Sequence, residues 1–237
     1  MKLSVIILNY NVQYFLEQCI LSVQRSLKSI DSEIIVIDNN SPDDSCAMVK
    51  AKFPEITLIE NKENVGFSKA NNQAVKIAKG EYVCILNPDT AVAEDTFVKA
   101  LFYAESISNL GALGIYLMDG TGSYLPESKR NLPTPKASLL KLFGSGKSYY
   151  ANHIAPKGDG EVAVLVGAFM LLKRKVYNEV NGFDEDYFMY GEDIDFSYKI
   201  TKAGYKNHYL GHGLLSHKGL KFKIDKDRFF SFKFNII

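Results

Sequence analysis

A chain of 237 residues, 46% of them hydrophobic, can bury the core of one large α/β domain or of two fused lobes. Its 28 Lys and Arg against 27 Asp and Glu leave a formal charge of +1, which removes any global electrostatic case for a nucleic-acid partner. Cys19, Cys46 and Cys84 are odd in number and widely spaced, so they read as reduced core thiols of a cytosolic protein and offer no metal-ligand spacing.

In chain order, Val5 to Leu8 predict a buried strand and not a signal peptide, because the apolar run is short and breaks into Asn9-Tyr10-Asn11. Val12, Phe15, Leu16, Cys19, Ile20, Val23 and Leu27 then recur at helical spacing. Ile34 to Ile37 predict a second strand that ends in Asp38-Asn39-Asn40-Ser41-Pro42, and Asp43-Asp44 open the next helix. Ile56 to Ile59 predict a third strand before Asn64-Val65-Gly66-Phe67, with a helix from about Ser68 to Lys79 expected to stop at Gly80. Val83 to Leu86 read as a strand buried on both faces and halted by Asn87-Pro88-Asp89. Strands alternate with helical crossovers long enough for parallel pairing, which predicts an α/β fold with a mostly parallel sheet.

Three polar turns, at Asn9 and Asn11, at Asp38 to Asn40, and at Asn87 and Asp89, are expected at one sheet edge. Open α/β sheets bind ligands at the carboxyl edge, and such a crevice suits a sugar nucleotide. Asp89 alone reads either as a turn or cap residue or as a ligand for a hard divalent ion bridging phosphates. No G-x-G-x-x-G follows the first strand, and Gly144-Ser145-Gly146-Lys147-Ser148 lacks both the first glycine and the preceding strand of a phosphate-binding loop.

From Gly111 the character changes. Leu113 to Met118 predict one more strand, and Asp119 to Ala155 is rich in Gly, Pro, Ser and Lys, with a short helix over Ala137 to Phe143. A long irregular segment inside a domain is expected to be an acceptor-side loop. Val162 to Leu172 is an apolar run interrupted at Gly167-Ala168, and Arg174 to Val180 predict a short helix before Asn181-Gly182-Phe183-Asp184-Glu185. A last helix runs from Glu192 to Ala203 and is closed by Gly204. Helical spacing puts Glu192, Asp195, Lys199 and Lys202 on a solvated stripe, and Asp193 with Phe196, Ile200 and Ala203 on a stripe facing the protein. Asp193 is then either a first-turn partner of the helix dipole or a base aimed into a cleft. Glycosyl transfer from a nucleotide diphosphate needs two such acids, one neutralising the departing phosphates through a metal and one taking the acceptor proton.

The motifs VIILNYN, VIDNNSPDDS, ENVGFSKANNQA, LNPDT, the block from GAFM to GEDIDF and the final SHKG, in this order, resemble a family-two glycosyltransferase of the GT-A fold, in its rhamnosyltransferase-like branch. The resemblance implies that Asn9, Asn11, Asp38 and Asn40 lie at the nucleotide and that Asn64, Gly66, Asn72 and Asn87 hold nucleotide and diphosphate. It implies that Asp89 and His217 bind a divalent metal, Mn or Mg, and that Gly167, Phe183 and Asp184 line the donor sugar and acceptor. Asp193 matches the inverting base, with Glu192 beside it. The implied division is 1–112 for the nucleotide-sugar half, 113–220 for the acceptor and base half of the same domain, and 221–237 for a short basic and aromatic tail. That tail, with Lys221, Lys223, Lys226 and Arg228 among phenylalanines, reads either as an anionic membrane contact or as an incomplete terminal helix. The implied partners are a nucleotide-sugar donor, dTDP-rhamnose or a UDP-sugar, and a glycan or lipid-linked glycan acceptor at the cytoplasmic face of a membrane. A nucleotide-sugar pyrophosphorylase and an inactive nucleotide-binding partner are the rival readings.

Overall fold

The computed structural model describes residues 1–133 and 149–211. Strands β1 (Leu3–Asn9), β2 (Ser32–Asp38), β3 (Thr57–Glu60) and β4 (Tyr82–Leu86) alternate with helices α1 (Gln13–Ser26), α2 (Ser45–Lys52) and α3 (Phe67–Ile77). Then follow α4 (Thr96–Ser106), β5 (Leu110–Ile115), a ribbon strand β6 (Lys129–Arg130), β7 (Gly160–Glu161), β8 (Val164–Leu165) and β9 (Phe169–Lys173). Helices α5 (Arg174–Glu179) and α6 (Glu192–Lys202) and strand β10 (Lys206–Leu210) complete the described chain.

The main sheet has eight strands in the order β3-β2-β1-β4-β9-β5-β10-β7, and β6 pairs with β8 in a separate ribbon. β1, β2, β3 and β4 pair in parallel, as the long crossovers require. β9 runs antiparallel to both β4 and β5, so a strand from the second half of the sequence is inserted between strands of the first. The division expected at residue 112 therefore falls inside β5, and both halves share one sheet.

The central strands are apolar on both faces because helices cover both. Val5, Ile7, Cys84 and Leu86 pack with α1 and α4, whereas Ile6, Val83 and Ile85 pack with α3 and α6. Each such side chain contributes about 1.5–3 kcal/mol by leaving water. Cys19 and Cys84 are buried and Cys46 is half-buried, all as free thiols.

Three details differ from expectation. Helix α4 lies where no element was expected, although Phe97, Ala100, Leu101 and Ala104 bury one face at helical spacing. Gly80 does not cap α3. It stands where a Cβ would meet the Ser4 amide at 2.5 Å, and its own N–H donates to Ser4 Oγ at 2.8 Å, so the residue serves a close backbone approach. Ala203 is exposed and not on the inward stripe of α6. The expected helix over Ala137 to Phe143, the Gly144 to Ser148 stretch, His217 and the 221–237 tail lie outside the described residues.

Candidate active site

The strand pairing decides where the polar turns meet. β1 and β2 are in register from Leu3 with Ser32 to Asn9 with Asp38, and β4 lies on the other side of β1 with Leu86 level with Ile7. The three turns therefore sit side by side at one carboxyl edge. Asn11 and Asn40 bend the chain there in the left-handed region, with φ of 56° and 62°, a conformation asparagine tolerates better than most residues.

Much of this edge is occupied in holding itself together. Asp38 accepts from the Ser41 amide at 2.8 Å, from Ser41 Oγ at 2.6 Å and from Asn9 Nδ2 at 2.6 Å, and is 2% exposed. Its carboxylate shapes the turn after β2. Asn64 accepts from the Gly66 amide and from Asn39 Nδ2, each at 3.0 Å, and Asn61 links Asn39 to Gln73. Gly66, with φ of 82°, lets the Phe188 carbonyl come where a Cβ would lie 2.6 Å away, and the Phe67 amide donates to that carbonyl at 2.8 Å.

Asn72 is also committed to the protein. Its Oδ1 accepts from Tyr177 OH at 2.5 Å and the Phe183 amide at 3.0 Å, while Nδ2 donates to the Phe183 carbonyl and to Glu185. This corrects its expected role as a diphosphate contact: all the amide's hydrogen-bonding capacity is spent clamping the 183–185 loop onto α3. Phe183 is corrected as well. It is 1% exposed in an aromatic cluster with Phe67, Tyr177 and Phe196, so it supports the cleft from behind and does not line it. Asp184 caps its own turn by accepting from the Asp186 amide at 3.0 Å.

Asn11, Asn40 and Asp89 remain exposed and Asn87 half-exposed, and the buried Oδ1 of Asn9 has no partner among the described residues. Asp89 is open to solvent, yet the protein around it removes enough water to raise its carboxyl above the ordinary value, against the pull of its own amide. Among the described residues no group of three or more His, Cys, Asp or Glu could hold a metal ion. Asp89 nevertheless fits a divalent cation as a single carboxylate ligand, since hard cations complete their shells with phosphate oxygens and water.

The turn after β4 abuts the second acid. The Asn87 amide donates to the Ala168 carbonyl at 3.1 Å, and the Gly167 amide next to it donates to Asp193 Oδ2 at 3.3 Å. Asp193 stands in the first turn of α6, whose N-cap Gly191 has φ of 97°. Its Oδ2 also accepts from Arg130 Nη2 at 2.5 Å, and the two side chains are 13% and 10% exposed. Arg130 was not foreseen; it follows Lys129 in an irregular segment, 63 positions from its partner, and no local pattern tells the two basic residues apart.

Glu192 departs from the solvated stripe. It is 7% exposed with Oε2 unpartnered, and burial raises its carboxyl above the ordinary value, aided by the neighbouring Asp193 charge. The chain enters α6 through the left-handed Tyr190 and Gly191, which turn the first residue of the helix inward. Asp195 and Lys199 do pair, at 3.8 Å, although Lys199 also donates to the Gly182 carbonyl at 2.7 Å.

Residues 4–180 match the sequence pattern of the family described as "Glycosyl transferase family 2". The chain belongs to that family. Residues 150–223 of this glycosyltransferase family member also match a pattern described as the N-terminal domain of galactosyltransferase. An N-acetylglucosaminyl-diphospho-decaprenol L-rhamnosyltransferase of Mycobacterium tuberculosis is 26% identical over 91% of this chain and 76% of its own length. Rhamnosyltransferase WbbL of Escherichia coli is 30% identical over 61% of this chain and 58% of its own. The mannosyltransferase PcManGT from Pyrobaculum calidifontis, solved with GDP-Man and Mn2+, superimposes with a TM-score of 0.66 at 21% identity, over 90% of this chain and 55% of that one. That likeness, with the mostly parallel sheet, makes the fold GT-A. The chain thus spans about three quarters of the mycobacterial protein and just over half of the other two. Among the described residues no helix is long and apolar enough to cross a membrane.

Proposed function

We propose that the protein is an inverting glycosyltransferase that moves a sugar from a nucleotide-diphosphate donor, dTDP-rhamnose or a UDP-sugar, to a glycan or lipid-linked glycan acceptor in surface-polysaccharide synthesis. The observation that carries this reading is the pair of contacts, Asn87 to Ala168 and Gly167 to Asp193, which links the turn bearing Asp89 to the first turn of α6. The names of the mycobacterial and Escherichia coli relatives support rhamnosyl transfer, and the former names a lipid diphosphate acceptor.

In this reading the donor lies along the β1, β2 and β4 turns, with the Asn11, Asn40 and Asn87 side chains turned toward it and the Asp38 and Asn64 networks holding the turns after β1 and β2. Asp193 accepts the acceptor hydroxyl's proton. The oxygen so freed attacks the anomeric carbon from the face opposite the diphosphate, and the bond from that carbon to phosphate oxygen breaks, inverting the centre. Asp89 would hold a divalent metal, Mn or Mg, which when bound supplies charge neutralisation for the diphosphate. The protein works in the cytoplasm, peripherally at the inner face of the membrane that holds the acceptor.

The test is to screen nucleotide sugars for thermal stabilisation with and without manganese and then to follow release of nucleotide diphosphate from those that bind. Asp193→Asn is expected to lower turnover by about 10²–10⁴-fold, the usual range for a general base. Nucleotide binding should persist. Retained turnover in that variant would remove the base assignment, and binding with no turnover in the unaltered protein would favour an inactive partner.

A further inference from the structure

Asp193 is held by two groups on other elements. Oδ2 takes the Gly167 amide at 3.3 Å from the β8–β9 turn and Arg130 Nη2 at 2.5 Å from the β6–β8 ribbon. Arg130 is itself fixed before it meets the acid: Nη2 donates to the Leu165 carbonyl at 2.8 Å, Tyr149 hydrogen-bonds to the guanidinium, and Arg130 pairs with Val164 in the ribbon. The ribbon is tied in turn to α6, because Ser197 Oγ accepts from the Leu165 amide at 3.2 Å. The helix carrying the acid and the strand carrying the cation thus form one unit. A buried ion pair is weak as a source of stability, since desolvation offsets most of the attraction, but it fixes geometry well. The guanidinium charge also acts on the buried Glu192, opposing the effect that the Asp193 charge has on it.

We infer that Arg130 is the positioning residue for the base: it engages Oδ2 together with the Gly167 amide and leaves Oδ1 as the oxygen that takes the proton. The inference rests on the reading of Asp193 as the base. In the step itself the acceptor O–H bond breaks, its proton passes to Oδ1, and its electron pair forms the bond to the anomeric carbon as the carbon–phosphate oxygen bond breaks. Arg130 gives and takes no proton. Its part is to keep Oδ1 aimed, and misplacement by about 1 Å costs on the order of 100-fold in rate.

The experiment measures nucleotide-diphosphate release from dTDP-rhamnose and UDP-glucose by the full chain, with water as the acceptor, alongside nucleotide-diphosphate affinity. For Arg130→Met, kcat is expected to fall about 100-fold. Donor KM and nucleotide affinity should stay within about threefold, because uniform binding is untouched. Arg130→Lys, which keeps the charge but loses the fork, should recover about tenfold of that loss. Three results would overturn the inference: kcat within about threefold of the unaltered protein; a loss of nucleotide affinity as large as the loss of kcat, which would assign Arg130 to the diphosphate; or Arg130→Lys no better than Arg130→Met, which would leave only packing. Should Arg130→Met fail to fold, Arg130→Lys decides alone, a lowered kcat at constant KM supporting the role and an unchanged kcat refuting it. Asp193→Asn separates the two levels: if it stays active the base assignment fails and takes this one with it, whereas inactive Asp193→Asn beside normal Arg130→Met removes Arg130 only.

Discussion

The polar turns after β1, β2 and β4 and the ribbon that holds Asp193 adjoin one another and are assembled by different means. At the turns after β1 and β2, amides and hydroxyls gather on one buried carboxylate and on one another: Ser41 and Asn9 donate to Asp38, Gly66 to Asn64, and Asn61 to Gln73. Around Asp193, a buried cation meets a carboxylate 63 residues off, beside a second acid whose carboxyl burial raises above its ordinary value. The first kind of structure buries a lone carboxylate among neutral donors and leaves Asn9 Oδ1 unpartnered among the described residues. The second sets a cation among two acids and leaves Arg130 Nε and Glu192 Oε2 likewise without partners.

The contrast is broken most severely at the joint between the two regions. Asn72→Ala removes the acceptor for the Tyr177 hydroxyl and the Phe183 amide, both buried, at about 1–3 kcal/mol for each orphaned donor. The melting temperature should drop by several degrees, and calorimetry will read it directly. A smaller and more selective effect is expected at Asp89. Asp89→Asn should abolish the manganese-dependent part of nucleotide-diphosphate affinity, measured by titration calorimetry, while metal-free affinity stays near its original value; an undiminished manganese effect would place the ion elsewhere.

The mildest test sharpens the electrostatic half of the comparison. Burial raises the Glu192 carboxyl in the folded protein above its ordinary 4.5, so between those two values the native state binds more protons than the unfolded chain. Stability from this group is fully present below about pH 4.5 and is lost as pH rises through the folded value. Glu192→Gln should therefore gain stability over the unaltered protein as pH increases, with no gain below that range. Urea midpoints across pH 4 to 8 would show it, and a pH-independent difference would count against the buried-charge account.

The parallel half of the sheet was legible because strand and helix periods alternate there and each strand stops in a polar turn. Asn9, Asp38 and Asn87 could be placed at one edge from topology alone. What could not be read was the distinction between residues that touch a ligand and residues that hold the ones that do. Asn72 and Phe183 look like site residues because they stand in the family's motifs, yet their partners are 111 residues apart in sequence and facing inward. Glu192 was put on the wrong side of α6 because helical spacing predicts relative positions around an axis, whereas the left-handed entry at Tyr190 and Gly191 sets the absolute one. Arg130 left no trace, since a two-residue strand has no period.

The Phe188 carbonyl pressed against Gly66 has a mechanical meaning. With Asn72 gripping Phe183 and Glu185 a turn and a half further along the same helix, the stretch between is riveted to α3 at two points. The exposed rings of Tyr187, Phe188 and Tyr190 therefore ride on a rigid bracket. A molecule that rests on those rings therefore meets a surface already backed by α3, with little backbone left to order on contact.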